Sequence, residues 1–131
     1  GVMAWHPGIE WTGGGFVSNP KDLVVWAKAL FEGRALAGNY LEELLKSVPL
    51  SQDDPDNRYG IAVAIREKGP LGPTLGHGGW IPGYCSSLRY YPNHGIAISF
   101  QINTDIGVID HSTNLIPDME IRLAKVIIAG Y

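Results

Sequence analysis

The sequence predicts an α+β domain in which helices pack on an antiparallel β-sheet. Three observations predict it. Apolar residues recur with a period near four over residues 23–31 and again over 41–48. The period changes to two at Tyr59, and short alternating runs divided by turn residues follow as far as Asn103. Helical spacing then returns between residues 108 and 129. The expected order is helix, helix, three or four antiparallel strands, and helix, with helices covering at least one face of the sheet.

Residues 1–15 carry few periodic cues and read as a loop ending in Gly13-Gly14-Gly15. Asn19 is a helix cap, with Pro20 at the favoured first position and Asp22 three residues after the cap. Leu23, Trp26, Ala27, Leu30 and Phe31 then form one apolar stripe, and Gly33 stops the helix. Asn39 followed by Glu42 repeats the cap signature ahead of a shorter stripe, Leu41, Leu44, Leu45 and Val48, which Pro49 ends. Residues 51–58 are polar and turn-rich and read as a surface loop. Tyr59, Ile61, Val63 and Ile65 alternate with smaller or charged residues, as one strand does. Residues 68–73 turn the chain, and 74–78 read as a short strand entering a glycine cluster. Tyr84 to Tyr91 is the next strand, Pro92 to Gly95 a turn, and Ile96 to Asn103 the last strand. In that strand Ile96, Ile98, Phe100 and Ile102 share one face. Pro117 starts or kinks the final helix, and Gly130 is a C-terminal stop.

A chain of 131 residues is long enough for one domain with a core, and no linker, repeat or low-complexity tract divides it. The 45% hydrophobic content and four tryptophans argue against disorder. A formal charge of -3 supplies no basic footprint, so nucleic acid is not an expected partner. No apolar run is long enough to span a bilayer, and the N-terminus lacks the pattern of a signal peptide. The chain opens Gly1-Val2-Met3 rather than on methionine, which points to a fragment, although a cloning remnant would look similar. One cysteine, Cys85, allows no internal disulfide and reads as a small packed residue on a strand. No two histidines sit three or four apart, and none pairs with Cys85 at a ligand spacing, so no metal site is expected.

The densest chemistry lies in Gly76-His77-Gly78-Gly79-Trp80-Ile81-Pro82-Gly83-Tyr84, with four glycines in nine residues. Glycine this dense marks backbone that takes unusual angles or lets something approach closely. Taken alone, a glycine-flanked histidine is more often a turn residue than a catalytic one. Gly13-Gly14-Gly15 before a helix lacks the Gly-Lys-Ser/Thr ending and preceding apolar strand of a phosphate loop. His6, His94 and His111 read as surface loop or turn residues, and Trp5, Trp11 and Trp26 as packing.

Several of these stretches follow one another in a distinctive order: Trp11 to Leu23, Tyr59-Gly60, Gly76 to Tyr84, Tyr91 to Ile98, and Asn103. Together they resemble the C-terminal part of the penicillin-recognising serine hydrolases. The nearest branch comprises class C β-lactamases, D-alanyl-D-alanine carboxypeptidases and related esterases. The likeness covers residues 11–128. It implies that residues 1–131 form the C-terminal half of a β-lactamase-like (DD-peptidase) fold. That family uses Ser-x-x-Lys for the nucleophile, Tyr-x-Asn or a relative, and Lys-Thr-Gly or His-x-Gly on a strand edging the site.

His77-Gly78-Gly79 fits the third motif. The resemblance implies that His77 helps bind a substrate carboxylate and tunes the neighbouring proton relay. Gly78 departs from the usual threonine, so a hydroxyl that contacts substrate is missing. Close approach of substrate would explain why Gly78 and Gly79 tolerate no bulk. The backbone N–H of Trp80 would be one of two oxyanion-hole donors, a role worth about 10²–10³ in rate. Asn103 resembles an asparagine near the substrate carboxylate. Tyr59 lines the cleft on this likeness, although alternation explains it equally well as a strand residue.

The first two motifs are expected upstream. Ser18-Asn19-Pro20-Lys21 matches Ser-x-x-Lys literally but coincides with a helix cap, and Tyr91-Pro92-Asn93 matches Tyr-x-Asn but falls in a hairpin turn. Both read as punctuation. The expected partners are therefore the missing N-terminal part of the same fold and a small-molecule, peptide or β-lactam substrate. No cofactor is implied, family habit suggests a periplasmic or secreted location, and the chain alone should not turn over substrate. Two readings from other classes stand beside this one. The first is a non-catalytic relative that binds peptide or cell-wall material. The second is a stand-alone α+β module whose glycine hairpin is structural.

Overall fold

A computed structural model describes His6, Gly8, residues 11–108 and residues 110–130. Most of the expected N-terminal loop, with Trp5, lies outside the described residues. Where that loop continues, a single helical turn, α1 (Trp11–Gly14), appears instead. Gly15 permits it, since a Cβ there would stand 2.6 Å from the Trp11 carbonyl oxygen.

Helix α2 (Pro20–Phe31) follows its sequence signals. The Asn19 side chain accepts the Asp22 N–H at 3.0 Å, Pro20 leads the first turn, and Gly33 takes φ 74° beyond the end. Of its stripe, Ala27 and Phe31 are buried while Trp26 stays half-exposed. Helix α3 (Tyr40–Leu45) ends earlier than its stripe suggested. Val48 leaves the helix to pair with Tyr59, making a two-residue strand β1 (Val48–Pro49). Tyr40 ties α3 to α2, its hydroxyl donating to the Leu30 carbonyl at 2.8 Å and accepting the Ala35 N–H at 2.9 Å.

The alternating run from Tyr59 to Arg66 is two strands, not one. Strand β2 (Asn57–Tyr59) turns back through 60–63 into β3 (Ala64–Arg66). Gly60 forces the reversal: a Cβ there would lie 2.5 Å from the Leu44 carbonyl oxygen, and the next N–H, of Ile61, bonds to that same oxygen at 3.0 Å. Ala62 takes φ 57° to complete the turn, which buries Val63 and leaves Ile61 exposed. The large residues of the alternating run thus do not share one face, since Ile61 points to solvent and Val63 to the core.

Strands β4 (Thr74–Ile81), β5 (Tyr84–Tyr91) and β6 (Ile96–Ile102) form the body of the sheet. The glycine cluster is itself strand, turned only at Pro82-Gly83, where Gly83 takes φ 87°. All six strands pair antiparallel in chain order, two or three more than expected. Helix α4 (Leu115–Ala124) carries Pro117 in its first turn and runs through a π-helical turn, Lys125–Ala129, to Gly130 at φ 75°. It starts later than the spacing suggested because the chain ahead of it is tied in turns, with Val108 N–H bonded to the Asp105 carbonyl and Thr113 N–H to that of Gly107.

Helices cover both faces of the sheet. On one, Leu88 and Tyr90 of β5 join Leu75 and Ala97 around Ala27 and Phe31 of α2. The Phe31 and Tyr90 rings stack at 5.6 Å. On the other, Tyr91 and Ile98 meet Ala124 of α4. Beside them Glu120 is buried with its carboxylate satisfied by Ser87 Oγ at 2.6 Å, Arg89 Nε at 2.9 Å and Arg66 Nη1 at 3.4 Å. This network fastens α4 to β3 and β5.

Candidate functional site

Strand β4 is paired unequally along its length. Strand β3 reaches only Thr74, Leu75 and Gly76, whereas β5 follows β4 from Leu75 to Ile81. Among the described residues, one strand edge of residues 77–81 therefore has no neighbour. In an antiparallel pair, successive residues turn their N–H and C=O alternately toward and away from the partner. A Cβ on Gly78 would touch Ser86 O, and one on Gly76 would strike Leu88 O, so these carbonyls aim at β4 beside residues 79 and 77. The Ser87 carbonyl turns the other way and accepts Ser99 Oγ at 2.9 Å. His77, Gly79 and Ile81 thus bond to β5, while Gly78 and Trp80 present their N–H and C=O groups to the open edge.

Gly76 and Gly60 fix the approach to this edge. A Cβ at 76 would lie 1.9 Å from the Leu88 carbonyl oxygen, so no side chain fits directly before His77. A Cβ at 79 would lie 2.5 Å from Ser86 Oγ. Position 78 is different: its nearest atom would be Ser86 O at 3.6 Å, an ordinary contact. The expected intolerance to bulk thus has a packing cause at 79 and, among the described residues, none at 78.

His77 is exposed on the α2 face and has both ring nitrogens engaged. Its Nε2 lies 2.7 Å from the Tyr59 hydroxyl, and its Nδ1 contacts the Gly78 carbonyl oxygen. The two rings meet edge-on at 5.8 Å and 74°. Trp26, Leu88 and Val63 line a small cavity below the imidazole. Trp80 projects from the opposite face, and its indole Nε1 donates to Asp105 at 2.9 Å. Asp105 also accepts the Gly83 N–H, and that bond, followed by the indole, holds its carboxyl below the usual aspartate range. One carboxylate so ties the β4–β5 turn to the segment after β6.

The structure brings His77, Gly78, Gly79 and Trp80 together along one edge. Asn103 stands apart, exposed, one residue past β6 and two strands from β4. Among the described residues no hydrogen bond joins it to that edge. Ser18 donates to the Asn19 carbonyl beside the α2 cap, and Tyr91 is buried against Ile98 and Ala124, so each sits as punctuation. Burial pushes the Cys85 thiol up, consistent with a packed residue. Tyr59, weighed from the sequence as a cleft or a strand residue, is a strand residue whose hydroxyl reaches His77, a partner that the Tyr59-Gly60 pair did not indicate. One residue, Asp105, is new to the site. It had no signal in the sequence, because its partners are reached only when β4 and β6 share a sheet. Among the described residues no three His, Cys, Asp or Glu side chains gather to hold a metal.

The family model described as Beta-lactamase matches residues 2–115. Among solved structures, the crystal structure of a D-stereospecific amidohydrolase from Streptomyces sp. is similar, with a TM-score of 0.59 and 29% sequence identity. The match covers 65% of this chain and 25% of that one, so the chain spans about a quarter of the length of that protein. No curated protein matches the chain.

Proposed function

The chain belongs to the beta-lactamase family, and from that membership we propose that it forms part of a serine hydrolase working through an acyl-enzyme on an amide, lactam or ester carbonyl. An upstream serine, activated by its lysine and a tyrosine, would attack the carbonyl carbon. The Trp80 N–H would hold the oxygen as it becomes an oxyanion, beside a second donor from the upstream part. His77 would stand next to the reacting group, with Gly78 and Gly79 leaving room for substrate along the strand; Asn103, two strands away, would contact only a substrate group that reaches past β5. This chain supplies that wall and not the nucleophile, so alone it should be inactive. The likeness to a protein named as a D-stereospecific amidohydrolase makes amides of D-configured residues the first substrates to try.

The observation that carries this reading is the bare edge of β4, where the Trp80 N–H points outward beside His77 instead of into the sheet. The test uses the full-length protein with a β-lactam and a D-residue amide. An acyl adduct on an upstream serine by mass spectrometry, with turnover of the amide, is the expected result. Absence of both adduct and turnover would overturn the hydrolase reading. Trp80→Pro is then compared with Trp80→Ala, since both lose the indole bond to Asp105 and only the proline also loses the backbone N–H, which takes no part in the β4–β5 ladder. The proline variant should be slower than the alanine variant by about 10²–10³-fold. Equal rates would remove that N–H from the mechanism.

A further inference from the structure

The two ring nitrogens of His77 do not have interchangeable partners. A carbonyl oxygen can only accept, so the Nδ1 beside Gly78 O must carry the proton. In the neutral ring Nε2 is then a bare lone pair, and the Tyr59 hydroxyl 2.7 Å away is its donor. Two other histidines of the chain are held the opposite way. His94 Nε2 lies 3.0 Å from the Leu71 carbonyl and must donate, and His6 Nδ1 accepts the Gly8 N–H at 3.1 Å, which leaves the proton on Nε2. His77 is thus singled out by its surroundings.

Both partners are placed by backbone that tolerates no side chain. Tyr59 precedes Gly60, where a Cβ would collide with Leu44 O, and His77 follows Gly76, where a Cβ would collide with Leu88 O. Tyr59 is further held by its pairing to Val48 on one side and Ala64 on the other. Its hydroxyl position is therefore set by three strands and the end of α3, not by the freedom of one side chain.

We infer that the Gly78 carbonyl selects the Nδ1–H tautomer of His77, and that Tyr59 is a positioning residue whose hydroxyl, bonded to Nε2, holds the ring against that carbonyl. The neutral ring has no free nitrogen for a substrate carboxylate. Its Nε2 is instead engaged by the Tyr59 hydroxyl. An imidazolium in the same place would donate from Nδ1 to Gly78 O and from Nε2 to the Tyr59 oxygen, so neither contact depends on the charge of the ring. Phenol oxygen serves both states because it can donate or accept. The inference rests on the hydrolase reading only for its catalytic meaning; the tautomer is a property of this chain.

The test is two-bond ¹H–¹⁵N correlation NMR of the imidazoles in the ¹⁵N-labelled full-length protein, with His77, His6 and His94 assigned by single replacement, under conditions where the neutral rings are observed. His77 should show a protonated Nδ1 and a pyridine-type Nε2, with His6 and His94 showing the reverse. In Tyr59→Phe, which keeps the ring, His77 should shift toward the averaged signals of a free imidazole while the other two stay fixed. A wild-type His77 protonated on Nε2, or a spectrum unmoved by Tyr59→Phe, would overturn the inference. In the full-length protein Tyr59→Phe should lower kcat with little change in KM. The loss should be smaller than the about 10²–10⁴-fold typical of removing acid–base catalysis outright. Absence of any hydrolysis in the wild type would count against the hydrolase reading and leave the NMR result standing.

Discussion

Removing Glu120 should loosen α4 from the sheet and cost several kcal/mol. The carboxylate is 4% exposed, and the Arg89 side chain that it faces is 14% exposed, so this pair is largely out of water. Arg66 lies farther off and its side chain is 41% exposed, so its share is discounted to that of a surface pair, about 0–1 kcal/mol. Glu120→Ala strands the Arg89 cation and the Ser87 hydroxyl together. Breaking one partner out of a buried pair typically costs about 3–5 kcal/mol, and the two losses share one network, so they do not simply add. For a chain of 131 residues the unfolding entropy is about 0.28 kcal/mol per kelvin, so the Tm should fall by roughly 10–18 °C. Circular dichroism melts with a urea titration would measure it. The companion variant replaces both members, Arg89→Met with Glu120→Leu, and should recover most of the loss, since an apolar pair of similar volume is often neutral. A Tm drop under about 3 °C for Glu120→Ala would refute the reasoning on that scale. So would a double variant as unstable as the single one.

Two further outcomes concern acid stability and the glycine wall. Lys28, at 2.9 Å, and Arg34 draw the Glu32 carboxyl from 4.5 down to about 2. A depressed carboxyl stabilises the fold above its unfolded value, and that contribution is lost as pH falls from 4.5 through about 2. Glu32→Gln should therefore flatten stability against pH across that window and leave the curve above it parallel to wild type, as urea melts at stepped pH would show. Gly76→Ala should destabilise by about 1–3 kcal/mol or more, because its Cβ meets backbone that cannot swing aside. Gly78→Ala should stay within about 0.5 kcal/mol of wild type in the same urea melts. Equal costs at the two positions would contradict the packing difference between them.

The parts of the fold that were legible are those recorded in neighbouring residues. Asn19, Pro20 and the stripe behind them specify α2 to its ends, because capping and helical periodicity act within a few residues. Strand β5 and the following turn fall where alternation and Pro92 to Gly95 placed them. The order of the motifs was enough to name the family that the Beta-lactamase model matches. The run from Tyr59 to Arg66 is two strands and a turn although its large residues alternate, and Ile61 faces solvent where one strand would have buried it beside Val63. Only the Leu44 carbonyl, brought up by α3, decides for the turn at Gly60.

The candidate site divides in the same way. Its residue types were visible in His77-Gly78-Gly79-Trp80, since chemistry is carried by side chains that the sequence names outright. Which strand edge lies open depends on where β3 stops beside β4, and that is a matter of register between segments ten residues apart. The Tyr59–His77 contact spans 18 residues and the Trp80–Asp105 contact spans 25. Local sequence thus determined the elements and the chemical inventory of this protein. Tertiary pairing decided which backbone groups remain free to act and which proton His77 keeps, because both depend on atoms that meet only once the sheet has formed.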